Sequence, residues 1–196
     1  MDGLWTGVDL SRLALTKQMA ESGRQLQAGR MSLEELASSV TTVGGSPGGI
    51  LQHSVATAFA ARELCQQRGG AAGPVMAAAV LHDIGLLALA EAGREASSPA
   101  IHAAAGGDLL QRWDFPADVV TAVTCYRRVT EAGDHERLAA FCYFGDMLAG
   151  FLGVVYPLPA FDPRSRNRVL DVLGVKPDDM PQWIRRTQAA FAGWRK

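Results

Sequence analysis

The stretch Val80-Leu81-His82-Asp83-Ile84-Gly85-Leu86-Leu87 decides how this chain is read. It sets an imidazole beside a carboxylate in an otherwise apolar run. Burying such a pair is costly unless hydrogen bonds satisfy it or a metal ion holds it. Outward from it lie His53 upstream, His102 downstream, and Asp146 within Phe144-Gly145-Asp146-Met147-Leu148. The order His, His-Asp, Asp offers nitrogen and oxygen donors to one divalent metal. Taken alone, His53 reads as a hydrogen-bonded core histidine and Asp146 as a cap or a solvated carboxylate. The joint pattern points to a site.

The surroundings read as helix. Ala, Leu, Gln, Arg and Glu dominate, and strict alternation is scarce. A first helix is expected over 9–22, and a second from the capping box Ser32-Leu33-Glu34-Glu35. A third, over 50–67, carries His53 and an apolar face of Leu51, Val55, Phe59 and Leu64. Gly69-Gly70-Ala71-Ala72-Gly73-Pro74 ends it. The next, over 75–91, is apolar nearly all round, as a central buried helix would be, with His82 and Asp83 at its middle. Neighbours on a helix stand ~100° apart, so these two side chains flank one point only if it lies between them. Ser98-Pro99 opens a helix to Trp113 that carries His102. After the Asp114-Phe115-Pro116 turn, Val119, Val120 and Val123 are expected to be buried. A loop over 131–134 precedes a helix over 136–153 bearing Asp146. Tyr156-Pro157-Leu158-Pro159 breaks the chain before closing helices over 162–173 and 178–194. The expected fold is all-α, a helical bundle with the site in its middle.

Gly44-Gly45-Ser46-Pro47-Gly48-Gly49 divides a short N-terminal helical segment, 1–44, from a main helical domain, 50–196. It reads equally as a linker or as a long loop within one domain.

A chain of 196 residues suits one domain, with or without a small appendage, and is long enough to bury a core without staples. Its formal net charge of −1 argues against a nonspecific nucleic-acid binder. Cys65, Cys125 and Cys142 show no CxxC spacing, which suits a reducing compartment. Met1-Asp2-Gly3-Leu4-Trp5 lacks the basic-then-apolar order of a signal peptide. No apolar run is expected to reach the ~20 residues of a membrane span, since His82 and Asp83 interrupt the longest. The expected location is cytoplasmic.

Ala78-Ala79-Val80-Leu81-His82-Asp83-Ile84-Gly85 resembles the signature of the HD-domain metal-dependent phosphohydrolases. Gln52-His53-Ser54 with Ala56, Ala60 and Ala61 resembles the first motif of the HDOD branch, the HD-related output domains of bacterial signalling proteins. His102, Gly106, Leu109-Leu110, Trp113 and Pro116 follow in the order expected of that branch. The resemblance spans roughly residues 50–153 and implies an HD-like helical bundle. It places His53, His82, Asp83 and Asp146 on the metal-ligand positions, and His102 where two-metal members place a further ligand. The implied cofactor is a divalent ion, with iron, manganese, zinc and nickel all suited to these donors. Such an ion polarises a phosphoryl oxygen and lowers the pKa of a bound water, and Asp83 is then the catalytic candidate that orients the water.

Two departures weigh against turnover. Catalytic HD-GYP members carry a Lys after the Gly, where this chain has Leu86, and paired histidines where it has Cys125-Tyr126-Arg127-Arg128. Only 52 residues precede His53, which is short for the N-terminal lobe of HDOD proteins. The resemblance implies a signalling or regulatory protein that keeps an HD metal site and acts by binding a protein or ligand. The alternative is a one-metal phosphohydrolase acting on a nucleotide or another phosphate ester. A third reading is a metal-free structural remnant. The expected partner is a signalling protein or a phosphorylated small molecule; a homodimer is compatible with the sequence, and neither a membrane nor nucleic acid is expected.

Arg127 and Arg128 are candidates for holding a phosphate at the mouth of the site, against the plainer reading of a solvated helix end. Cys125 reads as a structural thiol and His135 as an exposed helix-start residue. Trp183 and Trp194 are expected to pack inward with the cations of Arg185, Arg186, Arg195 and Lys196 outward. The Gly-rich segments lack the Lys-Ser/Thr ending of a phosphate loop.

Overall fold

Helix-forming composition becomes helix almost everywhere. The structure, a computed structural model, describes residues 5–40, 46–94, 98–154 and 163–192; among these it contains α-helices, short 3-10 turns and no strand. The expected all-α fold is what forms.

The first two helices are α1 (Ala14–Gln27) and α2 (Leu33–Val40). The capping box holds α2: Glu35 N donates to Ser32 Oγ at 3.1 Å, and Ser32 N to Glu35 Oε2 at 2.7 Å. Leu13, at the start of α1, has no capping side chain, and Glu91 supplies the cap from a distance. Its carboxylate accepts Leu15 N at 3.0 Å and Thr16 N at 2.8 Å, placing negative charge on a helix N-terminus. Met19, Leu26, Leu33 and Leu36 from these two helices enter one apolar cluster with Phe59, Leu64, Leu81 and Phe144.

Helix α3 (Ser46–Arg68) begins earlier than expected, so the backbone of Ser46-Pro47-Gly48-Gly49 is helical rather than a loop. Proline is compatible with a first helical turn. Gly44 and Gly45 lie outside the described residues.

The expected helix 75–91 is a correction of more consequence. It forms two helices, α4 (Ala72–Leu81) and α5 (Ile84–Glu91), parted at His82-Asp83. Asp83 adopts φ −105°, ψ 17°, near the bridge region where active-site residues often sit, and its carbonyl restarts the chain by accepting Leu86 N and Leu87 N. The membrane expectation also needs correcting. Ala72–Glu91 taken as one stretch has the length and composition of a span, but its most apolar window is 78% buried inside the protein. Its side chains meet other helices of this chain.

Helix α6 (Pro99–Arg112) starts where Ser98-Pro99 places it, with Ser98 Oγ accepting Ile101 N at 3.3 Å. Helix α7 (Ala117–Cys125) buries Val119 and Val123, while Val120 is only partly covered. The chain then tightens into a 3-10 helix, Tyr126–Glu131, and another, Gly133–His135, where a loop was expected over 131–134. Helix α8 (Glu136–Phe151) packs against α3 through the middle of the molecule. The closing helices are α9 (Pro163–Leu173) and α10 (Met180–Ala192). Trp183 is buried against Phe144, as the sequence suggested, and the guanidiniums of Arg68 and Arg186 lie over its ring. The break at 156–159 and Trp194, Arg195 and Lys196 lie outside the described residues.

Candidate metal centre

Two glycines set the helix spacings that assemble the site. A side chain on Gly85 would run into the backbone of His102 and Gly106, so α5 and α6 touch there. One on Gly145 would meet the Thr57 carbonyl at 2.5 Å, so α3 and α8 touch as closely. The first contact brings His102 to Asp83, and the second brings Asp146 to His53.

Backbone carbonyls fix both inner histidines. His53 Nδ1 lies 2.8 Å from the Val154 carbonyl, and His82 Nδ1 lies 2.8 Å from the Ala79 carbonyl. A carbonyl only accepts, so Nδ1 carries a proton, and a ring that is neutral then turns its Nε2 lone pair to the other side. There the donors converge. His82 Nε2 stands 3.2 Å and His53 Nε2 3.8 Å from Asp83 Oδ2. These three atoms are buried without hydrogen-bond partners among the described residues, and all lie within 4.8 Å of one another. Two lone pairs and an anionic oxygen facing each other repel unless a metal ion or a proton sits among them. An ion bound at about 2.0–2.2 Å from each donor suits separations of this size. The residues therefore fit a divalent metal.

Asp146 joins from α8, with Oδ1 3.0 Å from His53 Nε2 and Oδ2 accepting Arg127 Nη2 at 3.2 Å. His102 meets the far side of Asp83, its Nε2 3.3 Å from Oδ1 and 3.1 Å from the Tyr126 hydroxyl. Tyr126 donates to the same Oδ1 at 3.0 Å and accepts Arg127 Nε at 2.9 Å.

Burial disfavours charge on His53, but the carboxylates of Asp146 and Asp83 outweigh it and raise its pKa above the ordinary imidazole value. Burial would likewise push Asp83 up, yet His82 and His102 hold it well below the usual carboxylate range. Burial, reinforced by Asp83 and Asp146, pushes the Tyr126 phenol far up, so it stays a proton donor.

Of the expected site residues, the structure gathers His53, His82, Asp83, His102, Asp146 and Arg127 into one network. Arg128 stands apart: it leaves the helical course with φ −134°, ψ 61° and pairs with Glu131 on the surface at 2.9 Å. Tyr126 was missed as a site residue. Its signal was spacing, since positions 119, 122, 123 and 126 share one helical face and the first three are small or branched apolar residues. A phenol continuing a buried face needs a polar partner for its hydroxyl.

Compared with known families, residues 50–145 match the HD domain; Asp146 follows the matched span directly. No curated protein and no solved structure matches the chain.

Proposed function

We propose that the HD domain carried by residues 50–145 is a metal-holding signalling module of HDOD type, acting in the cytoplasm by binding a protein or a phosphorylated small molecule rather than by turnover. His53, His82, Asp83 and Asp146 would hold one divalent ion. The supporting observation is burial: His82, Asp83 and His102 are 0% exposed, His53 3% and Asp146 4%. A hydrolytic site needs an open coordination position and room for substrate beside it. In this reading the ion ties together α3, the α4–α5 junction and α8, and the outer surface makes the functional contacts.

The second reading, a metal-dependent phosphohydrolase, rests on Arg127. Its side chain is 15% exposed and borders Asp146, so a cation stands at a partly exposed edge of the cluster. When bound, a divalent ion supplies Lewis acidity toward a phosphoryl oxygen. Arg127 would add a guanidinium suited to bidentate phosphate binding.

Phosphate release separates the two. The parent protein and Asp83→Asn, each loaded with manganese, iron or zinc, are offered nucleoside phosphates and simple phosphomonoesters. The module reading expects equal background release from both. Release by the parent that Asp83→Asn abolishes would establish the enzyme instead.

A further inference from the structure

We propose that Tyr126 and Arg127, consecutive in the chain, form one clamp on both carboxylates and fit the site to a single metal ion. This rests on the metal reading of the same cluster. The two oxygens of Asp83 have different surroundings: Oδ1 accepts the Tyr126 hydroxyl at 3.0 Å, while Oδ2 has no donor among the described residues and faces His53 Nε2 and His82 Nε2. Asp146 is divided in the same way. Its Oδ2 takes Arg127 Nη2 at 3.2 Å, and its Oδ1 lies 3.0 Å from His53 Nε2. Arg127 Nε, donating to the Tyr126 hydroxyl at 2.9 Å, joins the two halves.

The hydroxyl's capacity closes the account. A phenol has one proton and two lone pairs. The proton goes to Asp83, one lone pair takes Arg127 Nε–H, and the other takes an N–H from His102 Nε2 at 3.1 Å. Each carboxylate then presents one oxygen inward. A second ion sharing Asp83 through Oδ1 would have to displace both Tyr126 and His102. His102 is therefore an orienting partner of Asp83 rather than a ligand, and Tyr126 is a positioning residue for the metal site.

Cobalt(II) titration of the full, metal-stripped chain tests this, read by visible absorption and by chelator competition. The parent should take one ion per chain. Tyr126→Phe removes only the hydroxyl. It should still take one ion, with affinity weakened by about ten- to a hundredfold and an altered visible band. His102→Asn should keep the single ion. If Tyr126→Phe does not fold, Arg127→Lys gives the same reading, since it keeps a cation for Asp146 and loses the link to Tyr126; it should shift the band and weaken binding. Affinity within about twofold of the parent with an unchanged band overturns the clamp. So do two ions in the parent that fall to one in His102→Asn. A parent that takes no cobalt overturns the metal reading itself, and the clamp with it.

Discussion

Glu91 and Asp83 stand at opposite ends of α5 and end up in opposite conditions. Glu91 is fully matched: one oxygen accepts Leu15 N, and the other accepts Thr16 N and the Thr16 hydroxyl. It is a structural carboxylate whose work is to cap α1. Asp83 is matched on one side only. Its Oδ1 is held by Tyr126, while its Oδ2 is buried against two imidazole nitrogens that offer it no proton while the carbonyl-fixed rings are neutral. Buried polar groups are nearly always satisfied, so an orphaned oxygen among lone pairs is a place where a metal ion would fit. The difference separates a carboxylate that builds the fold from one that the fold presents.

The glycine spacing that holds Asp83 against α6 should give the largest effect. Gly85→Ala would drive a methyl group into the backbone of His102 and Gly106. It should cost about 1–3 kcal/mol in denaturant unfolding and displace His102 from Asp83. A variant as stable as the parent would show that the α5–α6 contact gives way easily and does not set the site. Substitution at Glu91 is gentler. Glu91→Gln should cost about 1–2 kcal/mol through the lost charged cap and leave metal content unchanged. Loss of metal there would erase the distinction between the two carboxylates.

The smallest effect is a pH dependence of the metal-free protein. His53 has a raised pKa in the fold, so its pairing with Asp146 and Asp83 stabilises fully below the unfolded imidazole value of about 6.5. That contribution disappears as pH rises through the folded value above it. With chelator present, Tm should fall across this window in the parent and stay flatter in His53→Asn. The same slope in both would remove His53 from the account. With metal present the trend should reverse, because the ion needs the deprotonated imidazole.

Much of this was legible in the sequence because local chemistry decided it. Ser32–Glu35 and Ser98-Pro99 started helices as capping rules require, and the apolar face of Leu51, Val55, Phe59 and Leu64 turned inward. His53, His82, Asp83 and Asp146 were legible as a set because polar residues in apolar runs are conspicuous. The break at His82-Asp83 was hidden, since the residues on both sides favour one uninterrupted helix. Only tertiary contacts at Asp83, from Tyr126 and His102, show what the interrupted geometry achieves. Tyr126 was hidden for another reason: its role depends on a carboxylate 43 residues away in sequence, a relation no local pattern carries.

The convergent lone pairs of His53, His82 and Asp83 are arranged to hold a metal. Elemental analysis of the untagged protein as purified, beside His82→Ala, tests it most directly. The account predicts near-stoichiometric divalent metal in the parent and its loss in the variant. Equal metal in both would contradict the assignment, and none in either would leave the cluster a structural remnant.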